Sequence, residues 1–177
     1  MRMAAGEIAI VELSPEQVEA SIGQLAELLM DAVESGASVG FMPPLDAAEA
    51  TSYWDGVVAA MRGGSRVLLA ATDDGRIEGS VQLALETRAN GNHRAEAMKL
   101  FVHRRARRQG LAKRLMAEVE AAASRYGRTL LVLDTRKGGE AERLCESLGY
   151  TRYGEVPNYA RSGNGALHTT VFFYRQL

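Results

Sequence analysis

The chain has 177 residues, 46% of them hydrophobic and 24% charged, which fits one globular domain over residues 1–177 and excludes a disordered or collagen-like chain. Its 21 basic and 22 acidic residues give a net charge of -1, so no overall field attracts it to nucleic acid or to an anionic membrane. No apolar run approaches the roughly 18 residues of a membrane helix, no signal peptide is visible, and the single cysteine, Cys145, cannot form an internal disulfide. These features predict a cytoplasmic protein.

The first half of the chain predicts one strand, two helices and a hairpin. Ser14-Pro15-Glu16-Gln17 places a serine, a proline and a glutamine at the positions of a capping box, which begins a helix. Asp73-Asp74-Gly75 supplies the positive φ of a tight turn between two strands. In chain order we expect a strand over 7–13, a helix from Ser14 toward Gly36, a Gly/Pro-rich loop over 36–44, a helix from Asp46 to about Gly63, and strands over 66–72 and 76–86.

The second half predicts alternating strands and helices. Leu111, Leu115 and Val119 recur at helical spacing, and the apolar run over 129–134 indicates a strand buried on both faces. The expected elements are a strand over 94–103, a helix over 110–126, a strand over 129–134, a helix over 139–148, and strands over 150–155 and 168–175. This order indicates an α/β (α+β) chain with a mixed sheet, in which hairpins come first and crossover helices later.

A basic segment lies between the third central strand and the helix that follows it. Residues 103–114 read HRRARRQGLAKR, and six of these twelve are Lys or Arg. Free N–H groups at a helix N-terminus, flanked by cations and preceded by Gly110, are typical of a phosphate site. The segment contains neither a P-loop nor a dinucleotide-binding glycine motif. A solvated basic turn or a nucleic-acid patch is the alternative interpretation.

The segment resembles a known family. Arg107-Arg108-Gln109-Gly110-Leu111-Ala112 is similar to the [RQ]-x-x-G-x-[GA] signature of the GNAT (GCN5-related) N-acetyltransferases, and Leu100-Phe101-Val102 resembles their central strand. Within that family the chain looks closest to tabtoxin-resistance-type acetyltransferases, on residues 36–42, part of 92–100, and Leu167-His168. The resemblance implies a mixed, mostly antiparallel sheet of about seven strands, with two central parallel strands splayed apart and about four flanking helices.

The resemblance also implies acetyl-CoA as cosubstrate and no metal. The pyrophosphate would lie on the backbone amides of residues 109–112, with positive charge from Arg107, Arg108 and Lys113, and the pantetheine would pair with the strand at 100–102. The residues that the resemblance assigns to acetyl-CoA are Leu100, Phe101, Val102, Arg107, Arg108, Gln109, Gly110, Leu111, Ala112 and Lys113.

Two carboxylates stand where acetyl transfer to an amine needs a base. An alkylamine has a pKa near 10, so it arrives protonated and must lose a proton before it attacks. Glu96 shares a nominal strand face with Met98, Leu100 and Val102 and matches the family's common general-base glutamate, while Asp134 ends the neighbouring strand. Burial there would raise the pKa of either carboxyl.

Simpler roles for the two carboxylates stay open at this point. Glu96 could be a strand-edge charge paired with Arg94 or Lys99, and Asp134 could cap a helix or turn. Both could also bind the substrate ammonium while water carries the proton.

The chain departs from the family in the helix after residue 138. Many members carry N-x-x-A-x-x-x-Y, whose tyrosine protonates the leaving thiolate, but here Gly138 and Cys145 stand at the asparagine and tyrosine positions. A thiol is a poor hydrogen-bond donor, so we interpret Cys145 as a small buried residue. Either the thiolate leaves unaided or another tyrosine, with Tyr159 as a candidate, donates the proton.

By analogy with the family, two loops border the amine pocket. The loop over 36–44 contributes Phe41 and Met42, and the loop over 156–168 contributes Tyr159 and His168, although loop packing explains these residues as well. The three histidines show no metal-ligand spacing, so we expect no metal site.

Together these features predict an N-acetyltransferase that moves the acetyl group of acetyl-CoA to a primary amine of a small molecule, such as a toxin, an antibiotic or a metabolite. A protein amine as acceptor and a non-catalytic CoA-binding sensor are the alternatives. We expect a monomer or homodimer that binds neither nucleic acid nor membrane.

Overall fold

The computed structural model describes residues 8–177, which form one seven-stranded sheet with helices on both faces. The strands are β1 (Ala9–Leu13), β2 (Arg66–Asp73), β3 (Arg76–Leu85), β4 (Arg94–Val102), β5 (Leu130–Arg136), β6 (Thr151–Arg161) and β7 (Leu167–Gln176). The helices are α1 (Pro15–Ala20), α2 (Ile22–Glu34), α3 (Ala47–Arg62), α4 (Leu111–Arg125) and α5 (Glu140–Ser147), with a 3-10 turn over Arg104–Ala106. None of these helices is long and apolar enough to span a bilayer.

The sheet has the order β1-β2-β3-β4-β5-β7-β6, and β4 and β5 are its parallel neighbours. Their pairing extends only from Arg94–Leu130 to Glu96–Val132. Beyond that point β5 stays paired with β7 and β4 stays paired with β3, while the two parallel strands separate. The expected sheet with a splayed central pair is therefore confirmed.

Two apolar clusters hold the helices to opposite faces of the sheet. Helices α1, α2 and α3 pack against β2, β3 and β4 around the fully buried Trp54. Helix α4 packs on the other face through Leu111, Leu115 and Val119, with Cys145 of α5 in the same cluster. The α1–α3 layer stops at β4, so Tyr153 beyond it is 59% exposed on that face.

The expected first helix is two helices. Ser14 Oγ accepts the Gln17 N–H at 3.2 Å and Gln17 Oε1 accepts the Ser14 N–H at 2.7 Å, so the capping box is confirmed. Ser21, with φ of -109° and ψ of 10°, ends α1 and begins α2. The apolar pattern continues across this residue, so it carries no signal for the break.

The predicted loop over 156–168 is wrong, because much of it is strand. Strand β6 continues to Arg161, and its register with β7 shifts twice, the second time between Val156 and Ala160. Asn158, with φ of +56°, lies in that second irregularity. Because a bulge accommodates extra residues, β6 can continue through both irregularities. Tyr159 is therefore on β6, and His168 is on β7.

Candidate active site

A bulge in β4 decides which side chains face the site. Lys99 has φ of +54°, and β4 holds one more residue than β3 between the pairs Gln82–Met98 and Ser80–Phe101. An inserted residue moves every later side chain to the opposite face. The predicted common face of Glu96, Met98, Leu100 and Val102 is therefore wrong: Leu100 and Val102 pack on the α4 side.

Glu96 faces the α3 side of the sheet, opposite Ala95 and Ala97. Its register partner is Val132, and Asp134 follows two residues later on the same face of β5, at the opening between the strands. Both carboxylates therefore lie at the point where the parallel strands separate.

Neither carboxylate forms an ion pair within the described part of the chain. Arg94, one proposed partner of Glu96, instead lies 3.0 Å from Glu86, and Lys99 bonds elsewhere. The simple strand-edge ion pair for Glu96 is thus wrong. A charge held without a partner in a half-buried place raises the free energy of its ionised form.

The surroundings raise the pKa of both carboxyls. For Glu96 the largest cause is burial, followed by the negative charge of Asp134, against the positive charges of Arg66, Lys99 and Arg94. For Asp134 the cause is again burial, which the charge of Lys99 opposes. Asp134 keeps an exposed edge, yet the cleft removes enough water around it to disfavour the anion.

Glu96 lines a cavity of about 180 Å³ at the start of β4, together with Arg94, Val132 and the end of β3. A larger cavity of about 330 Å³ lies between β1, α1 and the end of α3, near Tyr126. The larger cavity contains none of the predicted site residues, whereas Glu96 is one of the residues that line the smaller one.

The basic turn divides its arginines between two tasks. Arg104 donates from its backbone N–H to Asp31 at 3.0 Å and from its side chain to the same carboxylate. Arg105 donates to Glu78 at 2.7 Å and to Glu27 at 3.0 Å. These two arginines tie the turn to α2 and β3, and they are engaged by acidic side chains.

Among the remaining cations, Arg108 and Lys113 are available to a phosphate, whereas Arg107 has partners of its own. Arg107 donates to the Val102 carbonyl at 3.0 Å and lies 3.7 Å from Asp31. Arg108 and Lys113 are exposed and form no ion pair within residues 8–177. The charges that the sequence assigns to the pyrophosphate are thus on the surface beside α4.

Gly110 begins α4 in the left-handed conformation, with φ of +74°. It provides no side chain to cap the helix, so the first-turn N–H groups of Leu111, Ala112 and Lys113 are left for another acceptor. Leu111 is buried in the α4 cluster and fixes the helix end, while Gln109 is exposed. Uncapped first-turn amides are typical of helix ends that bind anions.

Beyond Glu96, the β4 edge that faces β5 has no strand partner. Backbone groups over 100–102, apart from the Val102 carbonyl that accepts from Arg107, can therefore pair with an extended ligand, as the resemblance implies. The Phe101 side chain is buried in the α1–α3 cluster, so Phe101 can contact such a ligand only through its backbone.

The two predicted acceptor segments contact one another. Pro43, in the loop before α3, packs so closely on Gly163, in the β6–β7 turn, that a Cβ at residue 163 would lie 2.7 Å from Pro43 Cγ. Phe41 is half-buried with its ring 5.2 Å from Tyr53, whereas Met42 is 42% exposed.

Tyr159 and His168 stand on the far side of the same opening. The Tyr159 ring lies 5.4 Å from Phe172, which pairs with Asp134 across β5 and β7. His168 is half-buried, and its Nε2 atom has no hydrogen-bond partner in the described chain. Of the predicted acceptor residues, Tyr159 is thus the one that Phe172 connects to Asp134.

Sequence reasoning missed the polar group beneath the acceptor loop. Tyr53 accepts a hydrogen bond from Gln82 at 2.9 Å, and Gln82 accepts one from Arg66 at 2.7 Å. Lys99 donates to the Val39 carbonyl. The only sequence signal for this polar group is a lysine just before the apolar end of β4. The face to which that lysine points depends on the bulge, which the sequence does not reveal.

Cys145 is buried, as expected, and burial raises the pKa of its thiol to about 12. A thiol in that state stays neutral and donates weakly, which leaves the general acid unassigned. Within residues 8–177 no three His, Cys, Asp or Glu side chains are grouped as metal ligands.

Comparisons with known proteins identify the family. Residues 63–152 match the family model of the acetyltransferase (GNAT) domain. A protein of Azospirillum brasilense, named an uncharacterized N-acetyltransferase in the hisH-hisA intergenic region, is 36% identical over 115 residues, which make up 64% of this chain and 67% of that protein.

Two solved structures share the fold at low sequence identity. One is yncA from Salmonella typhimurium with its cofactor acetyl-CoA, at TM-score 0.79 and 20% identity over 97% of this chain and 95% of that one. The other is a GCN5-related N-acetyltransferase from Kribbella flavida, at TM-score 0.79 and 21% identity over 96% and 98%. Because the domain match covers half of this chain and the relative is similar over two thirds of its own length, the chain belongs to the GNAT family of acetyl-CoA-dependent N-acetyltransferases.

Proposed function

We propose that this acetyltransferase acts on a primary amine of a small molecule, with Glu96 and Asp134 as the groups that handle the amine proton. The observation that carries the proposal is the position of these two unpaired carboxylates where β4 and β5 separate. Carboxylates with raised pKa values at such a cleft have the properties of general bases.

The residues of the basic turn fit the phosphate end of acetyl-CoA. The first-turn amides of α4 and the side chains of Arg108 and Lys113 supply donors and positive charge. The unpaired β4 edge over 100–102 supplies backbone partners for the pantetheine. This arrangement would bring the thioester to the end of β4 that adjoins the two carboxylates.

Direct attack is the mechanism that these groups support. One carboxylate takes a proton from the ammonium, and the free amine forms a C–N bond with the thioester carbonyl. The nitrogen then loses its second proton to the other carboxylate, and the C–S bond breaks. The thiolate leaves with the electron pair and needs only weak help, because a thiol has a pKa near 8.5. A neutral, buried Cys145 is consistent with departure that uses no acid from α5.

The acceptor is proposed to be a small toxin-like, antibiotic-like or metabolic amine. The resemblance to tabtoxin-resistance-type enzymes supports this choice, and so does a cleft bordered by Phe41, Tyr159 and Phe172, which suits a small partly apolar ligand. We place the protein in the cytoplasm, as a monomer or homodimer without nucleic acid, on the basis of its charge and its lone thiol.

A thermal melt with acetyl-CoA tests the cosubstrate site. At about 100 times its Kd, acetyl-CoA adds nearly 3 kcal/mol, which raises Tm by roughly 5–10 °C for a domain of this size. Adenosine diphosphate is the matched phosphate control and should raise Tm much less. An unchanged Tm would contradict the anion cradle at Gly110.

Turnover separates an enzyme from a CoA-binding sensor, the candidate that Cys145 at the tyrosine position favours. Release of free CoA in the presence of an amine panel, compared with release without amine, is the measurement. Tight acetyl-CoA binding without amine-dependent release would favour the sensor.

A further inference from the structure

Four charged side chains share the acceptor side of the cleft without direct ion pairs. Glu96, Asp134, Lys99 and Arg66 lie within electrostatic influence of one another, since the charge of each of the others acts on Glu96. Within residues 8–177 none of the four has an oppositely charged atom within 4 Å, whereas other charged residues here do. The charges of these four groups are thus not neutralised by direct ion pairs.

Lys99 is the cation whose donors are free to meet a ligand. Its Nζ atom donates to the Val39 carbonyl and lies 5.8 Å from the Phe41 ring centroid and 6.0 Å from that of Tyr53. An ammonium has three N–H donors, and one bond to Val39 leaves two without a strong acceptor. Half-buried among aromatic rings, this ammonium is poorly hydrated.

Arg66 cannot take the same role. Its Nη1 atom donates to Gln82 at 2.7 Å and lies 2.8 Å from Met98 Sδ, which fixes the guanidinium against the sheet. Its Nε atom is enclosed and has no partner in the described chain. Arg66 therefore contributes positive charge behind the cleft, while Lys99 stands at its surface.

The backbone of the loop over 36–44 lies close to the Lys99 ammonium. Gly40 has φ of +86°, and a Cβ built at that residue would lie 3.2 Å from Lys99 Nζ. The positive φ favours glycine at residue 40, and a side chain there would crowd the ammonium. A small anion that reaches Nζ would meet backbone there.

An acceptor whose only charged group is its amine would leave Lys99 without a partner. Its ammonium would meet Glu96 and Asp134 favourably but would be repelled by Lys99, which the same carboxylates adjoin. We infer that Lys99 is a specificity-determining residue that binds an anionic group, such as a carboxylate, next to the reacting amine of the acceptor. This inference rests on the proposed function and narrows its substrate to amines that also carry an acidic group.

Matched acceptors test this inference. Leucine, leucinamide and isopentylamine share a side chain, as do phenylalanine, phenylalaninamide and phenethylamine, and only the first of each set has a carboxylate. We expect Lys99→Met to lower kcat/KM for the amino acid by about tenfold to a hundredfold, the effect of losing a charge-assisted hydrogen bond, and to change that for the amide less than about threefold. Comparing variants cancels the intrinsic pKa difference between the amines.

Two further variants separate charge from packing. Lys99→Arg keeps the positive charge and should keep most of the preference for the amino acid. Lys137→Met removes the only other lysine outside the basic turn, where it forms an exposed ion pair with Glu155. This variant should leave the ratio of kcat/KM for each amino acid to that for its amide unchanged. Equal losses for acid and amide in Lys99→Met would mean that Lys99 only holds the loop, and would overturn the inference.

Calorimetry decides the same question if no amine of the panel is acetylated, an outcome that would count against the proposed function. Leucine, phenylalanine and their amides are titrated into the wild type and Lys99→Met, each saturated with CoA. Binding of an amino acid at least tenfold tighter than its amide, lost in Lys99→Met, supports the inference. Equal binding, or no binding of either amino acid, overturns it.

Discussion

Charged side chains are paired in the basic turn over 103–114 and unpaired in the cleft between β4 and β5. In the turn, Arg104 and Arg105 are matched with acidic side chains of α2 and β3 at hydrogen-bond distance. In the cleft, Glu96, Asp134 and Lys99 have no such partner within the described residues. Paired charges fix a loop in place, whereas unpaired ones keep their capacity for a ligand and a proton.

The difference teaches that charge density alone does not locate chemistry. The cluster of arginines is the most conspicuous feature of the sequence, yet two of its members are structural. The cleft charges are dispersed along the chain and become a group only in the folded sheet. Substitutions in the two regions should therefore have opposite signatures.

The largest expected effect is loss of stability on breaking the paired region. Asp31→Ala removes the acceptor of the Arg104 backbone and side chain, a carboxylate that is 7% exposed. We expect a loss of about 2–3 kcal/mol in the free energy of unfolding, measured by urea denaturation. Glu34→Gln, at an exposed partner of Arg104, is the control and should cost less than about 1 kcal/mol. Equal effects would contradict the division of tasks.

Neutralising the unpaired region should instead reduce activity. Glu96→Gln and Asp134→Asn each remove a proton acceptor at almost constant volume, and we expect kcat/KM for the amine to fall tenfold or more. The affinity for acetyl-CoA, measured by calorimetry, should barely change. Glu155→Gln, an exposed carboxylate on β6, serves as control. Unchanged amine kinetics in both variants would remove the two carboxylates from the mechanism.

The pH dependence sharpens the same contrast. Because burial raises the pKa of both carboxyls and the charge of Asp134 raises that of Glu96 further, kcat/KM should fall on the acid side at a higher pH than an ordinary carboxyl would give. In Asp134→Asn the negative charge that raises the pKa of Glu96 is gone, so the acid limb of the residual activity should move to lower pH. A pH–rate profile of both proteins checks the direction, and a shift to higher pH would contradict it.

The smallest expected effect is a gain in stability. A carboxyl whose pKa in the folded state exceeds its unfolded value favours folding below the unfolded pKa, and this advantage is lost as pH rises through the folded pKa. At pH 7, Asp134→Asn should therefore raise Tm, by about 1–2 °C, while it lowers activity. At pH 4 the gain should shrink. A melt series across that range measures it, and a lower Tm at pH 7 would show that Asp134 is stabilised in the fold.

The parts that sequence predicts are those determined locally. The capping box at Ser14 and the strand–turn–helix around Gly110 involve residues within a few positions of one another, and both form as expected. Hydrophobic patterning likewise indicates the strands, whereas the splayed centre of the sheet follows from the resemblance to the family. Local chemistry is sufficient there because turns and caps depend on nearby backbone angles.

The parts that sequence does not predict depend on distant partners. Arg104 meets Asp31 across 73 positions, so its structural role is invisible in the basic run. The bulge at Lys99 exists only in the register of β4 against β3, and the extension of β6 past Asn158 only in its register against β7. The positions of Lys99 and Tyr159 therefore depend on strand register, which the sequence does not reveal.

The extra residue in β4 lets side chains at alternate positions of one strand face opposite sides of the sheet before and after Lys99. A regular strand must assign odd positions to one face and even positions to the other along its whole length. At Lys99 this assignment reverses, so Glu96 faces the cleft, while Leu100 and Val102, at positions of the same parity, are partly buried against the α4 cluster. Removing one residue here would turn those two apolar side chains into the cleft and Phe101 out of its own cluster. The separation between the polar cleft and the apolar α4 cluster thus depends on one inserted residue in β4.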